Sequence, residues 1–179
     1  MAHDMNDSIE LGERTEIYRG KVITLVEREV DGQVYNVVEH SGASCAVPVM
    51  PNGRIVLIRQ FRRAIEEWIW EVPAGTLEAG ESPEECMARE VVEEIGWEAN
   101  RLESLGTIVT APGFSSQRMH LFVAHLSRHV GTNQEPDEMI EVHETNWSDV
   151  QRMMRDHEIK DGKSLAALYR YEQALRVEN

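Results

Sequence analysis

Glu90, Glu93 and Glu94 stand at i, i+3 and i+4 in the run GTLEAGESPEECMAREVVEEIGW at 75–97. On a helix this spacing gathers three carboxylates within an arc of roughly 100°. Like charges so placed repel by roughly 0.2–0.5 kcal/mol per pair. One reading is a solvated acidic face. The other is a site for one to three hard divalent cations, Mg²⁺ or Mn²⁺, which take oxygen ligands and relieve the repulsion. Such ions bridge phosphate oxygens, neutralise developing charge and activate water. The loop 75–82, with Gly75 and Gly80, leads straight into the acidic face and favours the second reading.

A helix over 83–95 must carry these groups. Ser82 reads as its N-cap, Pro83 suits the first helical position, and Glu85 completes a capping box. Gly96 supplies the stop. Met87, Ala88, Val91, Val92 and Ile95 then fall on the opposite, core-facing side. Apolar, β-branched runs predict strands at 14–19, 21–30, 33–39, 44–50, 54–60, 68–72, 101–110, 118–126 and 139–146. Asp31-Gly32 makes 21–39 a hairpin, and Pro51-Asn52-Gly53 predicts a second one from 44–50 and 54–60. Ser148 is expected to cap a helix at 149–156. A last helix at 163–176 should turn Leu165, Leu168, Tyr169 and Leu175 inward. Strands before, between and after helices imply an α+β layered fold.

The chain has 179 residues, which suits one domain with a sizeable core, and a net charge of −14. That charge argues against nonspecific nucleic-acid binding and against anionic membranes. It also repels phosphate substrates, so metal ions and a few local arginines must reverse the sign at any such site. Cys45 and Cys86 lack metal-type spacing and read as buried free thiols, consistent with a reducing cytoplasm. No apolar run approaches a membrane span. The opening MAHDMNDSIEL lacks the regions of a signal peptide and is expected to be a mobile lead-in.

The run at 75–97 resembles the Nudix box, G-x5-E-x7-R-E-U-x-E-E-x-G-U, with U bulky and apolar. Gly75, Glu81, Arg89, Glu90, Val91, Glu93, Glu94, Gly96 and Trp97 fill every defined position. Seven identities arise by chance on the order of once in 10^8 starting points. The resemblance implies a Nudix-type α/β/α sandwich with a mixed central sheet. In this division residues 1–40 form an antiparallel strand extension, continuous with the core and dimerising, and residues 41–179 the catalytic domain. It implies that Glu90 and Glu94 hold metal, joined by the Ala74 carbonyl, and that Glu93 is catalytic or pairs with Arg89. Arg89 and Glu81 would orient the carboxylates and the loop. The general base is expected on the loop 133–138, with Glu138 first and Glu135 and Asp137 behind it; the alternative is an ordinary solvated acidic loop. Glu141 is a further metal candidate.

Residues outside the box resemble the ADP-ribose pyrophosphatase and nucleoside diphosphate sugar hydrolase branch. They are Gln60-Phe61-Arg62-Arg63, then Trp70-Glu71-Val72-Pro73-Ala74-Gly75, then Pro112, 16 residues past Gly96, and the tail IKDGKSLAAL at 159–168. Arg62 would then pair with phosphate or stack on a base, unless it forms a surface ion pair with Glu66 or Glu67. Glu71 would sit beside the metals or bond a ribose or base edge, and Phe114 and Arg118 would shape the sugar side. The implied activity is hydrolysis of ADP-ribose or another nucleoside diphosphate sugar to a nucleoside monophosphate and a sugar phosphate. Rival readings are a hydrolase of dinucleoside polyphosphates or nucleoside triphosphates, and a Nudix-like sensor without catalysis. The first strands, 14–39, carry exposed-looking apolar residues, among them Ile17 and Tyr18, and strands so placed in this branch pair with a second subunit, so the resemblance implies a homodimer with the N-terminal residues of one chain near the nucleoside site of the other.

Overall fold

Ser82 caps the box helix as its sequence predicts. In α1 (Pro83–Ile95) the Ser82 hydroxyl accepts the Glu85 N–H at 3.2 Å, and the Glu85 carboxylate accepts the Ser82 N–H at 2.8 Å. The helix stops at Gly96, whose φ of 73° is left-handed and favours glycine. The computed structural model describes residues 9–134 and 138–177.

The described strands form two sheets. The first is antiparallel, in the order β1 (Leu11–Arg19), β2 (Ile23–Val30), β3 (Gln33–His40). Asp31 and Gly32 join β2 to β3 with φ of 50° and 71°, the backbone that a two-residue hairpin demands. The second sheet is mixed and runs β10 (Ile140–Thr145), β5 (Ile55–Arg62), β4 (Ala43–Val49), β9 (Arg118–His129), β8 (Trp97–Val109). Two short strands join it, β6 (Glu67–Glu71) on β5 and β7 (Ala74–Thr76) on β4. The parallel pair β4–β9 makes it mixed. The strand β7 was not expected.

Both faces of the large sheet are covered, so its central strands read as unbroken apolar runs rather than alternations. Val56 and Ile58 pack under Met87, Val91 and Ile95 of α1, together with Ala46 and Phe122. Ile55 and Leu57, one residue out of phase, face the other way with Cys45, Val47 and Leu121. Val150 and Met153 of α2 (Trp147–Arg155) and Ala167 and Leu168 of α3 (Gly162–Val177) cover that side. The layers are those of an α/β/α sandwich. Both cysteines are free and buried.

The structure corrects several local expectations. The second hairpin is shorter than expected: β4 and β5 pair antiparallel at Val49↔Ile55, with Met50 N–H bonded to the Arg54 carbonyl at 2.8 Å, and then part. Ala46 N–H bonds the Pro73 carbonyl on the flank away from β9, and Pro48, two residues on, has no N–H to offer that flank. Asn146, not Ser148, precedes α2. In α3 the buried positions are Ser164, Ala167 and Leu168, while Tyr169 is 60% exposed. The N-terminal sheet leans on the body through Val38, whose N–H bonds the Phe114 carbonyl at 2.7 Å and whose carbonyl accepts the Ser116 N–H at 3.0 Å.

Candidate active site

The acidic side of α1 is not a solvated face. Glu90 and Glu94 are buried, at 8% and 2% exposure, against β7. Glu94 accepts the Ala74 N–H at 2.9 Å. Gly75 makes room for Glu90, because a Cβ there would lie 1.7 Å from Glu90 Oε1. The first box glycine is thus required by a close approach, not by the conformational freedom of the loop entry.

Arg89 ties the site together. Its guanidinium donates to Glu81 from Nε at 2.9 Å and from Nη2 at 3.1 Å. Nη1 reaches Glu90 at 2.6 Å and Glu93 at 2.9 Å, and Nη2 reaches the Thr76 carbonyl at 3.3 Å. Glu81 in turn accepts the Glu78 N–H at 2.9 Å, which anchors the loop. The Arg89 guanidinium holds the Glu81 carboxyl below its ordinary range. Glu93 makes the i,i+4 pair that its spacing allowed.

Residues 131–134, on the way to Glu138, are pinned to the end of α1. Gly131 N–H bonds the Gly96 carbonyl at 3.2 Å, Asn133 N–H the Glu93 carbonyl at 3.0 Å, and Gln134 Nε2 the Glu94 carbonyl at 3.0 Å. These bonds satisfy carbonyls that a helix end leaves without partners. A Cβ on Gly96 would lie 2.8 Å from the Gly131 and Thr132 backbone, so the second box glycine also admits this loop. Beyond the loop, Phe61 N–H bonds the Met139 carbonyl at 3.1 Å. Glu135 and Asp137, the other candidate bases, lie outside the described residues.

One cavity of about 830 Å³ joins these groups: Glu90, Glu93, Glu94 and Glu138 line it with Arg19, Lys21, Arg62 and Arg89. The basic residues answer the problem set by a net charge of −14, since they place cations on the wall of the cavity that the acidic face lines. Gln60 is 7% exposed on the same wall, and its Oε1 accepts no hydrogen bond among the described residues. Arg62 pairs with neither Glu66 nor Glu67 but with Glu71, which is 1% exposed.

Three expected site residues lie elsewhere. Glu141 is about half exposed on β10 and faces Arg59 at 3.4 Å, away from the cavity. Phe114, 60% exposed, sits on the loop that docks on β3, and Arg118 is exposed at the start of β9. No role was read for Arg19, Lys21, Gln60 or Lys163. Gln60 and Lys163 stood in the runs Gln60–Arg63 and IKDGKSLAAL. Arg19 and Lys21 carried no signal, because they reach the cavity from the separate N-terminal sheet.

Burial, and then the charge of Glu90, push Glu94 up to about 8. Burial likewise raises Glu90, with Arg89 opposing. Folded Glu94 therefore keeps its proton between the ordinary 4.5 and about 8, where the unfolded chain has released it. The folded state binds more protons in that window, so its stability falls as pH rises through it. We expect Tm in EDTA to fall from pH 5 to pH 8, and Mg²⁺ to restore more of it at pH 8, where less proton must be displaced. A Glu94→Gln variant with the wild-type slope would overturn this assignment.

The NUDIX domain family model matches residues 39–168, most of the chain. The chain belongs to the NUDIX domain family. It is 33% identical over 162 residues to the ADP-ribose pyrophosphatase of Bacillus subtilis (strain 168), covering 87% of this chain and 88% of that protein. It is 34% identical over 140 residues to the GDP-mannose pyrophosphatase of Yersinia enterocolitica serotype O:8 / biotype 1B (strain NCTC 13174 / 8081), covering 72% and 71%. A crystal structure of an ADP compounds hydrolase matches with a TM-score of 0.80 over 97% of both chains at 20% identity, so the two share the Nudix fold. No helix among the described residues is long and apolar enough to cross a membrane.

Nudix hydrolases generally use divalent metals, and the donor set here suits one. Glu90, Glu93 and Glu94 offer only hard oxygen, and the buried Glu94 holds a proton that a cation can displace. In this structure Arg89 and the Ala74 N–H engage the same carboxylates. Among the described residues no three Asp, Glu, His or Cys side chains already converge as a metal site. Arg89 takes one oxygen of Glu90 and one of Glu93, and the Ala74 N–H one of Glu94, so a cation would bind carboxylates that these donors also hold.

Proposed function

We propose that this Nudix protein is a metal-dependent pyrophosphohydrolase of nucleoside diphosphate sugars, with ADP-ribose or GDP-mannose type substrates. It would release a nucleoside monophosphate and a sugar phosphate. The observation that carries this reading is the single cavity in which the box carboxylates and Glu138 face Arg19, Lys21 and Arg62. A purely acidic pocket would repel a diphosphate, whereas this one offers cations on its rim. The relatives named above act, by their names, on ADP-ribose and GDP-mannose.

Glu90 and Glu94, with the Ala74 carbonyl, would hold Mg²⁺ or Mn²⁺, which supplies charge neutralisation on the diphosphate and activation of water. Glu138 would take the proton of the attacking water, and Arg89, braced by Glu81, would keep Glu90 and Glu93 in place. Arg62 would bind the diphosphate through the guanidinium edge that Glu71 leaves open. The Gln60 oxygen would accept a hydroxyl or amino donor of the nucleoside or sugar.

A kinetic panel tests this: ADP-ribose, GDP-mannose, other nucleoside diphosphate sugars, a dinucleoside polyphosphate and a nucleoside triphosphate, each with Mg²⁺ and with Mn²⁺. Mg²⁺-dependent release of phosphomonoester from a nucleoside diphosphate sugar is expected. Release from none of them would sink the reading, and turnover of the triphosphate alone would reassign the substrate.

The same reading includes a homodimer built on the strands before residue 41, which continue into the catalytic part. Ile17, Tyr18, Val34 and Tyr35 are all at least half exposed there. These side chains would be covered by a second copy. Light scattering should give twice the monomer mass, and a concentration-independent monomer would refute the dimer.

A further inference from the structure

The buried Glu71 carboxylate at the end of β6 meets two cations. Arg62 donates to it from Nε at 2.6 Å and from Nη2 at 2.5 Å, a two-point fork that sets the guanidinium plane. Lys163 Nζ donates to the same Oε2 that receives Arg62 Nη2. Lys163 is itself placed by the first turn of α3. Asp161 accepts from Lys163 Nζ at 2.8 Å, from the Ser164 N–H at 2.9 Å and from the Ser164 hydroxyl at 2.5 Å. That hydroxyl accepts the Val72 N–H at 2.9 Å, which ties α3 to the end of β6.

Of these residues, Arg62 reaches the carboxylate cavity. Arg62 also lines a second cavity of about 630 Å³, on whose wall Asp161, Gly162 and Lys163 lie. Lys163 is not on the wall of the first. The four charged side chains are two cations and two carboxylates, shared around a carboxylate with almost no access to water. Taking away one partner of such a buried group leaves the rest to rearrange. Without Lys163, Glu71 and Asp161 would both turn to Arg62 and draw its guanidinium toward α3.

We propose that Lys163, steadied by Asp161, is a positioning residue that acts through Glu71 to hold the Arg62 guanidinium toward a diphosphate in the carboxylate cavity. The proposal rests on the pyrophosphohydrolase reading. It assigns the IKDGK segment at the start of α3 a part in substrate binding without direct contact.

The test compares wild type, Lys163→Met, Lys163→Arg, Arg62→Ala and the double variant Arg62→Ala/Lys163→Met, each checked for folding by its thermal melt. Lys163→Met should raise KM by roughly 10–100-fold, the usual effect of removing a supporting partner. Its kcat should change by less than about threefold, since binding and not the transition state alone is affected. Lys163→Arg should recover most of the loss. In the Arg62→Ala background Lys163→Met should add nothing further, because the residue it positions is gone. An unchanged KM, or an effect that simply adds to that of Arg62→Ala, overturns the proposal. The Arg62 Nε–Hε resonance of ¹⁵N-labelled protein gives a reading that needs no turnover. It should move or broaden in Lys163→Met and stay near its wild-type position in Lys163→Arg. If wild type cleaves no nucleoside diphosphate sugar, the functional reading fails by itself, and an unmoved resonance in Lys163→Met still refutes the clamp.

Discussion

Glu138→Gln is expected to lower kcat by a factor of roughly 10²–10⁴, the range for losing a general base. The change keeps the shape of the side chain and removes its charge and its ability to take a proton. Glu138 lines the cavity with Glu90, Glu93 and Glu94, and its charge raises both Glu90 and Glu94. Glu93 is less suited to the same task, because Arg89 already bonds its carboxylate at 2.9 Å. The described residues on either side of 135–137 are held: Asn133 and Gln134 bond the last carbonyls of α1, and the Met139 carbonyl accepts from Phe61 of β5. Thermal stabilisation of Glu138→Gln by Mg²⁺ should persist. Turnover within about threefold of wild type would assign proton transfer to another group.

Gly75→Ala should reduce kcat/KM by about 100-fold, the scale of a misplacement of about 1 Å. The new Cβ would stand 1.7 Å from Glu90 Oε1 and 1.9 Å from its Cδ. No rotation of the new methyl relieves that contact, so Glu90 must swing out or β7 must lift from β4. The first separates Glu90 from Glu94 and breaks its bond to Arg89, and the second takes the Ala74 N–H from Glu94 and the Thr76 carbonyl from Arg89. Overpacking of this kind costs about 1–3 kcal/mol. Shortening the clashing side chain supplies the control: Gly75→Ala/Glu90→Asp should melt higher than Gly75→Ala alone. If the double variant is no more stable, or if Gly75→Ala keeps wild-type kcat/KM, the close approach of β7 to Glu90 is not what the glycine serves.

The box helix shows how far local chemistry carries. Ser82, Pro83, Glu85 and Gly96 set the ends of α1 at the residues the structure shows, because capping bonds span three or four positions. The side that Met87, Val91 and Ile95 bury follows from a period of 3.6 residues. The hairpin β2–β3 was legible in Asp31-Gly32 for the same reason. The short hairpin at 44–60 shows where that reach ends. Its turn is real, with Gly53 N–H bonded to the Met50 carbonyl at 2.9 Å, and β4 and β5 pair beside it, but farther along β4 pairs with β9 and β7 and β5 with β10 and β6. A turn sets where a chain reverses, whereas the sheet order that β9 and β10 impose arrives from residues far along the chain.

By itself the sequence determined the helix, the three carboxylates on one side of it, and the layered fold, since each is written in spacings of a few residues. It also carried the Nudix box and, in Arg62, Glu71 and the IKDGK segment, the parts of a substrate site. Only the tertiary structure decided how those parts meet. It turned Glu141 away with Arg59, docked Phe114 on the N-terminal sheet, and brought Arg19 and Lys21 to the acidic cavity. It joined Lys163 to Glu71 across 92 residues of chain. The physical reason is one of range: caps, turns and periodicity act between neighbours in sequence, while the partner of a buried charge is chosen by strand register and helix docking.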